Sequence, residues 1–453
     1  MSPEPASASR HGHWRTELFA GLLGLFLGIA LLKFGNPAIL DRLVEAPGDV
    51  YEALFQSWPI AWGHALLALV SALGLTVLQW RWPKPWWPAL LPAVWLAWQF
   101  VAATHTIDAR LTNLTLLHLA ATVLCYYLGL LALSRVQREA FFWGGLMAGF
   151  SLMVLMGLQQ HFGGLEETRR YVHSQPGWQN LAPEYLKRLA SDRIFATLLY
   201  PNALAGALLL LLPAMTVRAW QFTARLTLPS RLLVTALVFA SGLGCLYWSG
   251  SKAGWLFALV QVLVCLLRLP IAKPWKHALA CVCLLGGLVG FAVKFSAYFA
   301  RGAPSAEARR QYWRAAVTVA RLRPLAGTGP GTFAANYRLL KPPEAEMALL
   351  THNDYLQQAC DSGLPGAAIY TLFVVASLTH LWRKHRDDAP RFAVWLGLLG
   401  WSMQGLTEFG LYIPALSWTA FLWFGWLTAQ TGRAGSINGH RQTPLVAYRP
   451  VPG

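Results

Sequence analysis

The chain has 453 residues, of which 55% are hydrophobic and only 13% charged, and its formal net charge is +17. A soluble protein carries roughly twice that share of charged residues, about a quarter, so a water-soluble globular domain is excluded. The basic residues fall between apolar blocks rather than in one patch, which argues against nucleic acid as a partner.

Blocks of about 20 apolar residues match the roughly 30 Å hydrocarbon layer of a bilayer. Backbone polar groups in lipid need internal partners, so the spans must be helical. The expectation is an all-α polytopic membrane protein with about twelve transmembrane helices. In chain order they fall near 17–34, 60–79, 86–104, 112–133, 140–158 and 197–216, then 231–249, 254–269, 277–297, 363–381, 392–407 and 414–430. The turns at 250–253 and 408–413 are tight, so their neighbours read either as full spans or as half-helices. The first span is too long and too Gly-rich for a cleaved signal peptide. Residues 1–16 precede the membrane domain 17–430, and the polar, Pro/Gly-containing residues 431–453 follow it as a tail. The 22 Trp and 14 Tyr fit interfacial anchoring. Of six cysteines, Cys125, Cys245, Cys265, Cys281 and Cys283 lie in expected spans and only Cys360 near a loop, so neither a disulfide scaffold nor a zinc pattern follows.

Placing both termini in the cytoplasm makes the charge pattern regular. The cytoplasmic segments then hold Arg10 and Arg15, Arg81 and Lys84, Arg135 and Arg138, and Arg218, Arg225 and Arg231. Arg268, Lys273 and Lys276 follow, then the run from Arg383 to Arg391, and the tail adds Arg433, Arg441 and Arg449. Asp41, Glu45, Asp49 and Glu52 fall on the opposite side. Every short loop obeys the positive-inside rule in this orientation. Two long connections, about 159–196 and 298–362, are then extracytoplasmic, and their mixture of charged, aromatic and Pro/Gly positions reads as ordered lids.

Both lids carry candidate functional residues. Arg193 stands at the mouth of a span, with Pro201 and Asn202 soon after. It reads equally as a charge snorkelling to the interface and as one facing an outer cavity. Asn202, inside the membrane, needs a partner or a polar cavity in either case. In the second lid, Arg309, Trp313 and Ala316 share one helix face, and Arg310 and Arg314 the next. This stretch is an amphipathic surface helix, or one of its arginines holds a phosphate through the planar guanidinium fork. Gly327 to Gly331 is not a nucleotide loop, since no Gly-Lys-Ser/Thr follows. Gly327 and Gly329 permit a tight turn that brings backbone close to another group.

His352 lies on the same side as Arg193 and Arg309 and precedes a span by about ten residues. Asn353 and Asp354 stand beside it and are placed to orient a ring or a substrate. A neutral imidazole can take a proton from a sugar hydroxyl near pH 7, and two arginines can neutralise a departing pyrophosphate. Asp354 and Asp361 form no D-x-D pair and no cluster of hard oxygen ligands, so no metal and no cofactor are expected.

Three stretches together resemble the O-antigen ligase / O-antigen polymerase superfamily of bacterial membrane glycosyltransferases. They are R-x-F-x-x-x-x-x-P-N at Arg193–Asn202, R-x-x-x-W-(x)10-P-L-x-G-x-G-x-G-x-F from Arg309 to Phe333, and H-N-D-Y-L-Q-x-x-x-D-x-G-x-x-G from His352 to Gly366. The large lid before the final spans resembles the family as well. The resemblance implies metal-independent, inverting transfer of a glycan from undecaprenyl pyrophosphate to an acceptor hydroxyl, on the periplasmic side of the bacterial inner membrane. The acceptor is the lipid A-core oligosaccharide for a ligase and another lipid-linked repeat unit for a polymerase; protein O-glycosylation is a third reaction of the class. By resemblance, Arg193 and Arg309 bind the donor pyrophosphate and His352 activates the acceptor. Asp361 stands where the family usually has Glu, and the adjacent Arg310 and nearby Arg314 compete with Arg309 for its assignment. A lipid-linked sugar transporter is the rival from another class; it would keep ionisable groups near midplane in internally related halves. Oligomeric state is not legible.

Overall fold

The computed structural model describes residues 10–430 except 176, 181–185 and 187–189. Residues 1–9, the tail 431–453 and those parts of the first lid therefore lie outside the described residues. The helices in chain order are α1 (Arg10–Lys33), α2 (Val50–Phe55), α3 (Ile60–Val77), α4 (Trp87–Ala103), α5 (Ala109–Leu131) and α6 (Ala140–Gln159). Then come α7 (Leu165–Ser174), α8 (Pro201–Phe222), α9 (Leu228–Trp248), α10 (Lys252–Arg268) and α11 (Lys273–Ala300). The remainder are α12 (Pro304–Leu322), α13 (Phe333–Leu340), α14 (Asp354–His385), α15 (Ala389–Gln404) and α16 (Pro414–Gln430). There is no strand among the described residues.

Each of the twelve expected segments coincides with one of these helices. Among the described residues, eight helices are long and apolar enough to cross a membrane. The helices α4, α10, α15 and α16 are shorter, at 17, 17, 16 and 17 residues. The chain is an all-α polytopic membrane protein.

The centre of the bundle is α16, whose residues from Pro414 to Thr428 are buried throughout. A helix apolar on every side is stable only when packed on every side or bathed in lipid. Here it packs most closely on α5. At the other extreme, only 6% of the most apolar stretch of α11 is buried, which makes that helix peripheral and lipid-facing. Helices in lipid gain little from hydrophobic burial against each other and rely on close backbone approach. That explains the pairing of α1 with α6. Gly24 and Gly28 face Gly145 and Gly149, and a Cβ added at Gly28 would lie 2.6 Å from the Gly145 carbonyl oxygen.

Two lid boundaries differ from the sequence expectation. The first lid is helical at its start, because α6 passes through a π-helical turn at Gln160–Gly164 into α7. The second ends nine residues earlier than expected, because α14 begins at Asp354. Asn353 caps that helix, its side-chain oxygen accepting the Tyr355 and Leu356 N–H groups at 3.0 Å each. The helix breaks at Ser362–Gly363, where Gly363 has φ +73°, and then continues to His385. The polar residues of the first part are buried against protein, so hydropathy alone reads them as loop.

The second lid, between α11 and α14, has a small core of its own built from Tyr312, Ala316, Val319, Phe333, Tyr337 and Cys360. Backbone bonds pin it to the bundle. Thr328 N–H donates to the Cys360 carbonyl at 3.1 Å, Leu364 N–H to the Pro324 carbonyl at 2.8 Å, and Ile107 N–H to the Thr328 carbonyl at 3.0 Å.

Candidate active site

The turn between α15 and α16 carries Glu408, the sole acidic residue between Asp388 and the end of α16. Its side chain is 8% exposed. Three donors from three distant parts of the chain meet on it. Arg309 Nη2 pairs with Oε1 in a short contact. Asn202 Nδ2 donates to the same oxygen at 2.6 Å. His352 Nδ1 lies 3.1 Å from Oε2. A buried carboxylate is costly unless paired and hydrogen-bonded, and here both oxygens are engaged. Burial alone would push the Glu408 carboxyl up, but the charges and bonds of Arg309 and His352 hold it down at about 2.

A carboxylate without a proton can only accept, so His352 Nδ1 is the donor in this pair, and Nε2 is the ring nitrogen that does not face Glu408. The ring is held between Phe409, 4.7 Å away edge-on, and Tyr312, stacked at 5.7 Å. His352 itself has φ +52°, a left-handed backbone that non-glycine residues seldom adopt. Such conformations persist only where the surroundings over-determine them.

Arg193 is held at the opposite side of Asn202. Its Nη2 donates to Asn202 Oδ1 at 2.7 Å and its Nε to the Ser249 carbonyl at 2.7 Å. The side chain lies along the turn between α9 and α10, where a Cβ on Gly250 would come 3.1 Å from Nε. Burial lowers the pKa of Arg193, Glu408 raises it and Arg309 lowers it further; a guanidinium stays charged through such shifts. Lys252, two residues beyond Gly250, adds a third cation. Its Nζ sits 3.9 Å from the centroid of the Tyr298 ring, a cation–π contact. Among the described residues no carboxylate lies within 4.0 Å of it.

The other sequence candidates are placed as follows. Arg310 is exposed and paired with Glu307 at 2.8 Å, and Arg314 is exposed on the outer face of α12; neither meets Glu408. Asn353 caps α14 and donates to the Leu406 carbonyl at 2.9 Å. Asp354 is buried and accepts the Leu411 N–H at 3.1 Å. Neither side chain bonds the imidazole; Glu408 has that position. Asp361, fully buried, accepts from Gly331 N–H and Gln357 Nε2 at 2.8 Å each. Gly327 and Gly329 donate their N–H groups to the Arg323 and Asp361 carbonyls at 3.0 and 2.9 Å. The glycine turn thus approaches the backbone of Cys360 and Asp361, not an open cavity.

Sequence reasoning missed Glu408 and Lys252. The signal for Glu408 was available, since it is a lone carboxylate between two apolar helices on the same side as His352. Among the described residues, no three His, Cys, Asp or Glu side chains gather as a metal site.

These features define a class: a polytopic helical membrane protein whose two lids and final turn bring cations, an imidazole and a carboxylate to one point. The O-antigen ligase family model matches residues 236–371, and over that stretch the match supports the resemblance to the O-antigen ligase / O-antigen polymerase superfamily. The matched stretch contains Arg309 and His352; Arg193 precedes it and Glu408 follows it. No curated protein matches the chain.

Proposed function

We propose that this protein transfers a glycan from undecaprenyl pyrophosphate to the lipid A-core oligosaccharide, as an O-antigen ligase of the bacterial inner membrane. The observation that carries the reading is the meeting of Arg193, Asn202, Arg309 and His352 around Glu408. The reading includes twelve spans, both termini cytoplasmic and the site on the periplasmic side.

The chemistry is one displacement without a metal. The acceptor hydroxyl oxygen attacks the anomeric carbon as its proton passes to His352 Nε2. The bond from that carbon to the pyrophosphate oxygen breaks, and undecaprenyl pyrophosphate leaves with the bonding pair. Attack opposite to departure inverts the anomeric centre. Glu408 orients the ring and stabilises the imidazolium that forms, a division of labour known from other imidazole–carboxylate pairs. Arg309 is already neutralised by Glu408. Arg193 and Lys252 are not, and their two positive charges match the two negative charges of a pyrophosphate diester. Asn353 and Asp354 support this arrangement by fixing the start of α14 against the 405–411 turn.

The test is transfer in reconstituted vesicles with purified lipid-linked donor and two acceptors, a lipid A-core glycolipid and a second lipid-linked unit. Asparagine tolerates a left-handed backbone, so His352→Asn deletes the base without adding strain. That variant should lose transfer by about 100-fold or more, in line with general-base contributions, while still binding donor. Full activity in it removes the base assignment. Glycan appearing only on the second lipid-linked unit makes the protein a polymerase.

A further inference from the structure

Away from Glu408, three arginines from three separate elements border one cleft of about 260 Å³. Arg42 comes from the 3-10 turn Ala38–Leu43, Arg110 from the start of α5 and Arg338 from α13. Each is exposed, and among the described residues none has a carboxylate within 4.0 Å. One carboxylate, Asp108, also lines the cleft; its Oδ1 caps α5 by accepting the Leu111 N–H at 3.1 Å. Three guanidinium groups against one carboxylate leave an excess of two positive charges. Leu114 and Leu349 form apolar walls.

We propose that this cleft holds an anionic substituent of the acceptor glycan, a phosphate monoester or a sugar carboxylate. The proposal rests on the transferase reading above. Guanidinium groups bind both anions through paired parallel hydrogen bonds. The volume is short of the roughly 300 Å³ at which drug-sized ligand pockets begin, so it suits one charged group with part of a sugar ring. Position supports the acceptor rather than the donor. The donor's pyrophosphate has its own cations beside Glu408, whereas the cleft wall at Leu349 precedes the proposed base His352 by three residues. An extended chain covers at most about 10 Å over that distance. An anion fixed here would leave the rest of the acceptor within reach of the imidazole.

The experiment compares the wild type with the triple variant Arg42→Gln, Arg110→Gln, Arg338→Gln in phosphatidylcholine vesicles. The acceptor is a phosphorylated glycolipid or the same glycolipid after phosphatase treatment. The variant should raise KM for the phosphorylated acceptor about tenfold or more, the effect of one lost charge-assisted bond, with donor KM unchanged. For the dephosphorylated acceptor the two proteins should be equal. An equal KM for the phosphorylated acceptor in both proteins overturns the proposal. A second arm adds phosphatidylglycerol to the vesicles; an effect of the variant that follows this lipid and not the acceptor phosphate assigns the cleft to a membrane headgroup and also overturns it. If the wild type transfers nothing, the transferase reading fails, and direct binding of the phosphorylated glycolipid decides the cleft. Weaker binding by the variant then keeps the anion site, and equal binding removes it.

Discussion

Glu408 collects three donors on two oxygens while being almost wholly shielded from solvent. Its carboxyl, ordinarily at 4.5, is depressed to about 2 in the folded protein. A depressed carboxylate contributes stability that is present above its unfolded pKa and lost as the pH falls toward the folded value. The window is therefore from about 4.5 down to about 2, and the whole contribution is on the order of 3 kcal/mol. The thermal midpoint of the purified protein should fall more steeply across pH 5 to 3 than that of Glu408→Gln, which keeps the shape and has no proton to bind. Equal slopes would remove Glu408 from the acid sensitivity of the fold. In transfer assays the same variant should be impaired at every pH, because its neutral amide cannot stabilise an imidazolium.

At the scale of elements, Asp361 is the latch between the broken first part of α14, the glycine turn and the 410–412 turn. It accepts from Gly331, Gln357 and, at 3.4 Å, Tyr412. Leucine at this position would leave those donors buried without an acceptor, at about 1–3 kcal/mol for each unsatisfied group. Asp361→Leu should therefore lower the thermal midpoint sharply. Asp361→Asn, which keeps an acceptor oxygen, should lower it less and leave donor KM near the wild-type value. A large rise in donor KM in the asparagine variant, with the midpoint unchanged, would instead mean direct contact with substrate. Gly331 shows why the turn needs glycine: its φ is +78°, and an added Cβ would collide with the Thr115 hydroxyl.

At the scale of the whole molecule, the proposed orientation can be checked from outside. With Cys281 and Cys283 changed to serine, Glu344→Cys should react with an impermeant maleimide in intact spheroplasts. Asp387→Cys should react only after lysis. Both native positions are exposed, so access is limited by the membrane alone. The reverse pattern would invert the topology and move the site to the cytoplasm. By itself the sequence determined the membrane class and where the twelve long apolar segments lie in the chain, because hydropathy, capping and Pro/Gly punctuation act over a few neighbouring residues. It also marked Arg193, Arg309 and His352, since charges beside apolar spans stand out. Only the tertiary structure decided which of those groups meet. Asn202 and Glu408 are 206 positions apart and Arg309 and Glu408 are 99 apart. No local pattern encodes pairings at such separations. They arise when α8, α12, α14 and α15 pack and leave one buried carboxylate that cations and an imidazole must satisfy.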